Sequence, residues 1–105
     1  MQIRGGMNEI LRQASRMQRK IEEAKAAVKD QTVEALGAND QVKVTANLGR
    51  ELVRIEIDPQ LLADDRELAL DALVATANAA LKLANEKMEA ELNKVTGGMK
   101  IPGLL

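Results

Sequence analysis

The chain contains no histidine, no cysteine and no aromatic residue. Without imidazole or thiol there is no histidine base, no thiol nucleophile, no disulfide and no soft-metal site. Enzymology built on those groups is excluded. Without Phe, Tyr or Trp the chain also lacks the rings on which single-stranded nucleic acid stacks. A core of Leu, Ile, Val, Ala and Met buries less area per residue than an aromatic one. A lone 105-residue domain of this kind is marginal, so self-association is expected. Long apolar runs are missing as well. The longest uncharged stretch, Ala72 to Leu81, falls well short of the ~20 residues that span a bilayer. Residues 1–16 carry Arg4, Glu9, Arg12 and Arg16, which does not read as a signal peptide. The expectation is a soluble, cytoplasmic, single domain over residues 1–105 that uses no membrane.

What is present divides by period. Apolar residues fall at Met7, Ile10, Ala14, Met17, Ile21, Ala24 and Val28, steps of three and four that predict one helix from Met7 to Asp30. Residues 1–6, ending in Gly5-Gly6, read as a flexible lead. Then the period becomes two. Val42, Val44, Ala46 and Leu48 form one strand pattern and Val53, Ile55 and Ile57 another, with Asn47-Leu48-Gly49-Arg50 between them as a hairpin turn. Thr32 to Leu36 gives a third strand, joined through Gly37-Ala38-Asn39-Asp40. Asp58-Pro59 caps a short turn to Leu62. A second long helix starts near Asp64-Asp65 with a seam of Leu70, Val74, Ala77, Leu81, Ala84, Met88 and Val95. Leu73 and Leu92 lie alongside it, and Gly97-Gly98 stops it. Residues 97–105 read as an irregular tail. The fold class is therefore α+β: a long N-terminal helix, a three-stranded antiparallel meander and a long C-terminal helix.

No catalytic, metal or cofactor site is legible, and no small-molecule substrate is implied. Asp64 and Asp65, with Asp58 and Glu56 nearby, are the only cluster of possible general acids. Helix capping and solvated surface account for them, and no oxygen-ligand spacing is present. Neither glycine pair matches a phosphate-binding fingerprint.

Charge is where the chain is informative. The total is -1, from 15 Lys and Arg against 16 Asp and Glu. Yet residues 1–29 sum to +4 and residues 58–96 to -4, so a near-neutral protein is strongly polarised. Arg12, Arg16, Arg19 and Lys20 recur at spacings that put them on one helix strip opposite the apolar seam. Such a strip suits a row of phosphates, with each Arg able to grip two oxygens. Pairing of Arg19 or Lys20 with Glu22 or Glu23 would make it an ordinary solvated face instead.

The order of elements, Val42-Lys43-Val44-Thr45, Val53-Arg54-Ile55-Glu56-Ile57-Asp58-Pro59 with Leu61-Leu62, and Gly97-Gly98-Met99 resemble the YbaB/EbfC family of bacterial nucleoid-associated proteins. So does Gly6-Met7 followed by a helix rich in Gln, Met and basic residues. The resemblance spans nearly the whole chain. It implies a cytoplasmic, nucleoid-located homodimer whose strands join across the dimer and whose helices project like the arms of tweezers. It also implies binding of double-stranded DNA with low sequence specificity, in chromosome organisation and gene expression. Contact candidates carried over are Arg12, Arg16, Arg19, Lys20, Lys25 and Lys29 on the first helix, joined by Lys82, Lys87 and Lys94 on the last. Glu86, Glu89 and Glu91 would repel phosphate there, which favours the first helix as the contacting element.

A second reading belongs to another class. Two heptad helices flanking a hairpin also look like a prefoldin-type holdase subunit, or a protein-binding adaptor. Clients would be held by Met17, Met88, Ile101, Leu104 and Leu105. Charge separates the two: DNA binding depends on Arg side chains and salt, client binding on Met and Leu.

Overall fold

The computed structural model describes residues 2–97, with side chains from residue 6 onward. Its elements run α1 (Gln2–Val28), β1 (Thr32–Gly37), β2 (Val42–Asn47), β3 (Leu52–Ile57), α2 (Pro59–Asp64) and α3 (Arg66–Thr96). The architecture is α+β. The strands form one antiparallel sheet in the order β1-β2-β3, because each connection is short enough for a hairpin. The register pairs Ala35 with Val44 on one side of β2 and Ile55 with Val44 on the other. A bulge between Thr45 and Ala46 shifts the far end of β3.

The sheet has one covered face. Ala35, Val42, Val44 and Ala46 point into the core, where they meet Leu61, Ala69, Ala80 and Ala84. Alanines at the α3 contact let the helix axis lie close to the strands, and the fit is dense in small side chains. Lys43 is half-buried on the opposite face, bridging Glu34 at 3.8 Å and Glu56 at 3.3 Å across all three strands. Alternation along each strand accounts for this division. α3 packs over β1 and β2 but barely touches β3.

The caps agree with the sequence. Asp58 accepts a hydrogen bond from the Gln60 amide at 2.9 Å, with Pro59 in the first turn of α2. Asp65 accepts from the Leu68 amide at 3.0 Å and opens α3. Gly97 closes α3 at φ 66°, in the left-handed region.

Two expectations need revision. α1 begins at Gln2 and continues through Gly5 and Gly6, where the sequence reads as a flexible lead. Glycine costs a helix about 1 kcal/mol relative to alanine but does not forbid it. The seam of α3 is also rotated. Ala69, Thr76 and Ala80 are buried and Leu73 partly so, whereas Leu70 and Val74 are 48% and 62% exposed. Small residues set the closest approach of helix to sheet, and the larger ones are left on the flank. Residues 98–105 of the expected tail, including Ile101, Leu104 and Leu105, lie outside the described residues.

The protein is long and thin. Its extents are 75 × 20 × 17 Å and its radius of gyration is 20.0 Å, against about 13 Å for a compact chain of this size. Among the described residues no helix is long and apolar enough to cross a membrane.

Candidate nucleic-acid interface

The length comes from an arm. α1 packs on α3 and has no comparable contact with any other element. Its seam serves that contact only over the C-terminal half: Ile21 is 1% exposed and Met17, Ala24 and Val28 are half-buried. On α3 the matching positions are Leu92 and Thr96, both buried. Residues 6–16 of α1 are exposed all round, so the N-terminal half stands clear of the body. At ~1.5 Å per residue the whole of α1 is roughly 40 Å long.

Arg12, Arg16, Arg19 and Lys20 are all exposed on this helix. Arg12 pairs with Glu9 at 3.0 Å. Among the described residues Arg16, Arg19 and Lys20 have no ion-pair partner, so pairing with Glu22 or Glu23 does not occupy them. An exposed helical pair such as Arg12–Glu9 contributes only about 0.3–0.5 kcal/mol, which leaves Arg12 easy to recruit. The strip therefore offers up to four cations, of which Arg12 alone is ion-paired among the described residues, with Glu9 and Glu23 sharing the same face at about 100° per residue.

Lys25 and Lys29 do not extend this strip. They lie roughly 120–160° round the helix at 100° per residue. Both line a cleft of about 460 Å³ at the root of the arm, floored by Leu48, Met88 and Leu92. The β2–β3 turn closes this cleft because it is tied to the end of α1. The Leu48 amide donates to the Gln31 carbonyl at 2.9 Å and the Gly49 amide to the Lys29 carbonyl at 3.1 Å. The turn brings in Arg50, which the sequence did not single out. Its guanidinium donates to Asn85 Oδ1 on α3. Arg50 and Lys29 are 21 positions apart, and neither spacing nor composition signals that they line one cleft.

The α3 lysines are dispersed. Lys82 lies beside β1, flanked by Glu34 and Glu86. Lys94 pairs with Glu91 at 3.0 Å, and Lys87 is exposed. They form no strip. Met17 and Met88, the described side chains named for client binding, are half-buried, and Met88 lines the cleft at the root of the arm. Asp58 and Asp65 serve as helix caps. Among the described residues no cluster of three or more acidic side chains is arranged to hold a metal ion.

Residues 4–99 match the model of the YbaB/EbfC DNA-binding family. A nucleoid-associated protein of Thermoanaerobacter pseudethanolicus is 40% identical over 99 residues, covering 93% of this chain and 89% of that one. Another from Myxococcus xanthus is 37% identical over 99 residues, covering 93% and 94%. Among solved structures, an uncharacterized protein from Helicobacter pylori superposes with a TM-score of 0.64 at 25% identity, over 73% of this chain and 90% of that one.

Proposed function

We propose, from the premise that the chain belongs to the YbaB/EbfC DNA-binding family, that it binds double-stranded DNA in the nucleoid as a homodimer. The family is a DNA-binding family and not a family of enzymes. Binding runs through phosphate contacts from Arg12, Arg16, Arg19 and Lys20, with Lys25 and Lys29 behind them. Lys82, Lys87 and Lys94 make a smaller contribution, since each shares α3 with Glu86, Glu89 and Glu91. The observation that carries this reading is the strip itself: exposed, largely unpaired cations on a helix that stands away from the rest of the protein.

Low sequence specificity follows from the residue types. Phosphate contacts position a protein on DNA without reading bases. No aromatic wedge is available to kink the duplex. The role is chromosome organisation, with effects on gene expression. The whole chain acts as one cytoplasmic domain with no cofactor.

The homodimer is supported by apolar surface that a single chain leaves open. Leu52, Val53 and Ile55 of β3 are 45%, 56% and 46% exposed, and the outer edge of β3 has no strand beside it. Ile55 lies opposite buried Val44, on the core side of the sheet. Leu70 and Val74 flank α3 on the side away from Leu83, which borders β1. Together these residues continue the core past its own boundary, and a second copy would complete it.

The test is anisotropy of a labelled DNA duplex across a salt series. With about four to six phosphates engaged per dimer and a log-log slope near -0.9 for each, affinity should fall steeply with salt. The Arg12→Glu/Arg16→Glu/Arg19→Glu variant should lose binding while remaining dimeric by light scattering. A slope shallower than about -2, or a variant that binds as well as wild type, overturns the reading and favours a protein-binding role.

A further inference from the structure

We propose that Arg50, with Lys29, forms a second phosphate-contacting surface for duplex DNA at the root of the arm. This surface is separate from the Arg12–Lys20 strip. The inference rests on the DNA reading above and extends it to a residue outside both helices.

Three elements build the site. α1 supplies Lys25 and Lys29, the β2–β3 turn supplies Gly49 and Arg50, and α3 supplies Asn85. The turn is held rather than loose. Its flanking residue Asn47 takes the Glu51 amide at 3.0 Å on its side-chain oxygen and donates to the Glu51 carboxylate at 3.1 Å. The Arg50 amide donates to the Asn47 carbonyl at 3.1 Å. Arg50 sits at φ 66°, in the left-handed region that L side chains rarely adopt. An arginine kept there, with Gly49 next to it, points its side chain back across the cleft to α3.

Asn85 fixes that direction. Its oxygen accepts from Arg50 while its amide donates to Glu89 Oε1 at 3.4 Å. Glu89 is thus engaged in orienting Asn85 and not paired with the guanidinium. Among the described residues Asn85 is the one side-chain partner of Arg50, so most of its five N–H donors remain for a ligand. Lys29 has no ion-pair partner among the described residues. Glu22 and Glu89 also line the cleft, and against Lys25, Lys29 and Arg50 they reduce the local positive charge without cancelling it.

The site lies apart from the strip in two senses. From Arg16 to Lys29 the distance along α1 is roughly 20 Å, and the two positions differ by roughly 140° round the helix. One straight run of phosphates does not cross both. The root therefore engages different phosphates, and losses at the two places should add.

Anisotropy of a labelled duplex across a salt series, on the full chain, separates the possibilities. The Arg50→Gln variant alone should bind more weakly, with a slope shallower by about 0.9, and the Arg50→Gln/Lys29→Gln pair should lose about as much again. Lys43→Gln is the control: it removes a cation from the outer sheet face, where Glu34 and Glu56 already pair it, and should leave the slope unchanged. Arg50→Lys/Lys29→Arg keeps both charges and should keep the slope, which guards against a folding defect. Inorganic phosphate at constant ionic strength should not displace the duplex; displacement that disappears with the Gln pair would assign the site to a free anion instead. A Gln pair that behaves like Lys43→Gln overturns the proposal and leaves the DNA reading standing. Absence of wild-type binding removes both.

Discussion

Where α3 crosses the end of β1, a Cβ built on Gly37 would lie 2.1 Å from Thr76 Oγ1. Thr76 cannot easily turn away, because it is buried and its hydroxyl donates to the Ala72 carbonyl at 2.7 Å. Gly37→Ala should therefore destabilise the fold by about 1–3 kcal/mol through overpacking, read as a lower midpoint in thermal unfolding followed by circular dichroism. Adding Thr76→Ala removes the clashing atom and should recover much of the loss. If the double variant is no more stable than Gly37→Ala alone, the close approach is not the cause. In the sequence Gly37 reads as a turn residue, and its packing role is invisible because Thr76 lies 39 positions away. The same holds for Arg50. The hairpin at Asn47-Leu48-Gly49-Arg50 is legible from its residue types, but the anchoring of Leu48 and Gly49 on α1 and of Arg50 on Asn85 depends on elements far apart in the chain.

Periodicity makes the elements readable, since a helix repeats at 3.6 and a strand at 2. Both long helices and all three strands follow from it, with Asp58, Asp65 and Gly97 marking boundaries. Periodicity does not say how far a partner reaches. The α1 seam continues to Met7 and Ile10, yet these are 52% and 61% exposed while Ile21 is 1% exposed, because α3 ends beside the middle of α1. The candidate strip is likewise legible as a strip, whereas the separation of Lys25 and Lys29 from it requires the fold. Truncation at the two ends of the seam should show the difference. Ile21→Ala should cost about 2–5 kcal/mol, as deletion of a buried aliphatic side chain does, and Ile10→Ala should leave the unfolding midpoint near wild type. Equal losses at both positions would mean that the N-terminal half of the arm is covered in solution.

At the scale of the whole molecule, the proposed dimer makes the open flank of the sheet the feature that sets how many arms meet one duplex. An aromatic-free core under α3 covers β1 and β2 and stops short of β3, leaving Ile55 and Val74 exposed at 46% and 62%. Burying a pair of such side chains against a symmetry mate is worth about 1.5–3 kcal/mol for each that becomes fully covered. A charge placed there instead must be desolvated without a partner. Ile55→Lys/Val74→Lys should therefore yield monomers by sedimentation equilibrium, where the proposed wild-type dimer should give twice the chain mass. Both positions are already solvent-exposed in the single chain, so helix content should change little. The variant keeps every cation of the strip and gains two more. Simple attraction to DNA would strengthen binding; loss of the second arm would weaken it, with a salt slope near half the wild-type value, since each protomer carries half of the phosphate contacts. A monomeric variant that binds as steeply as wild type would show that one arm suffices, and that the open β3 flank serves something other than gripping DNA.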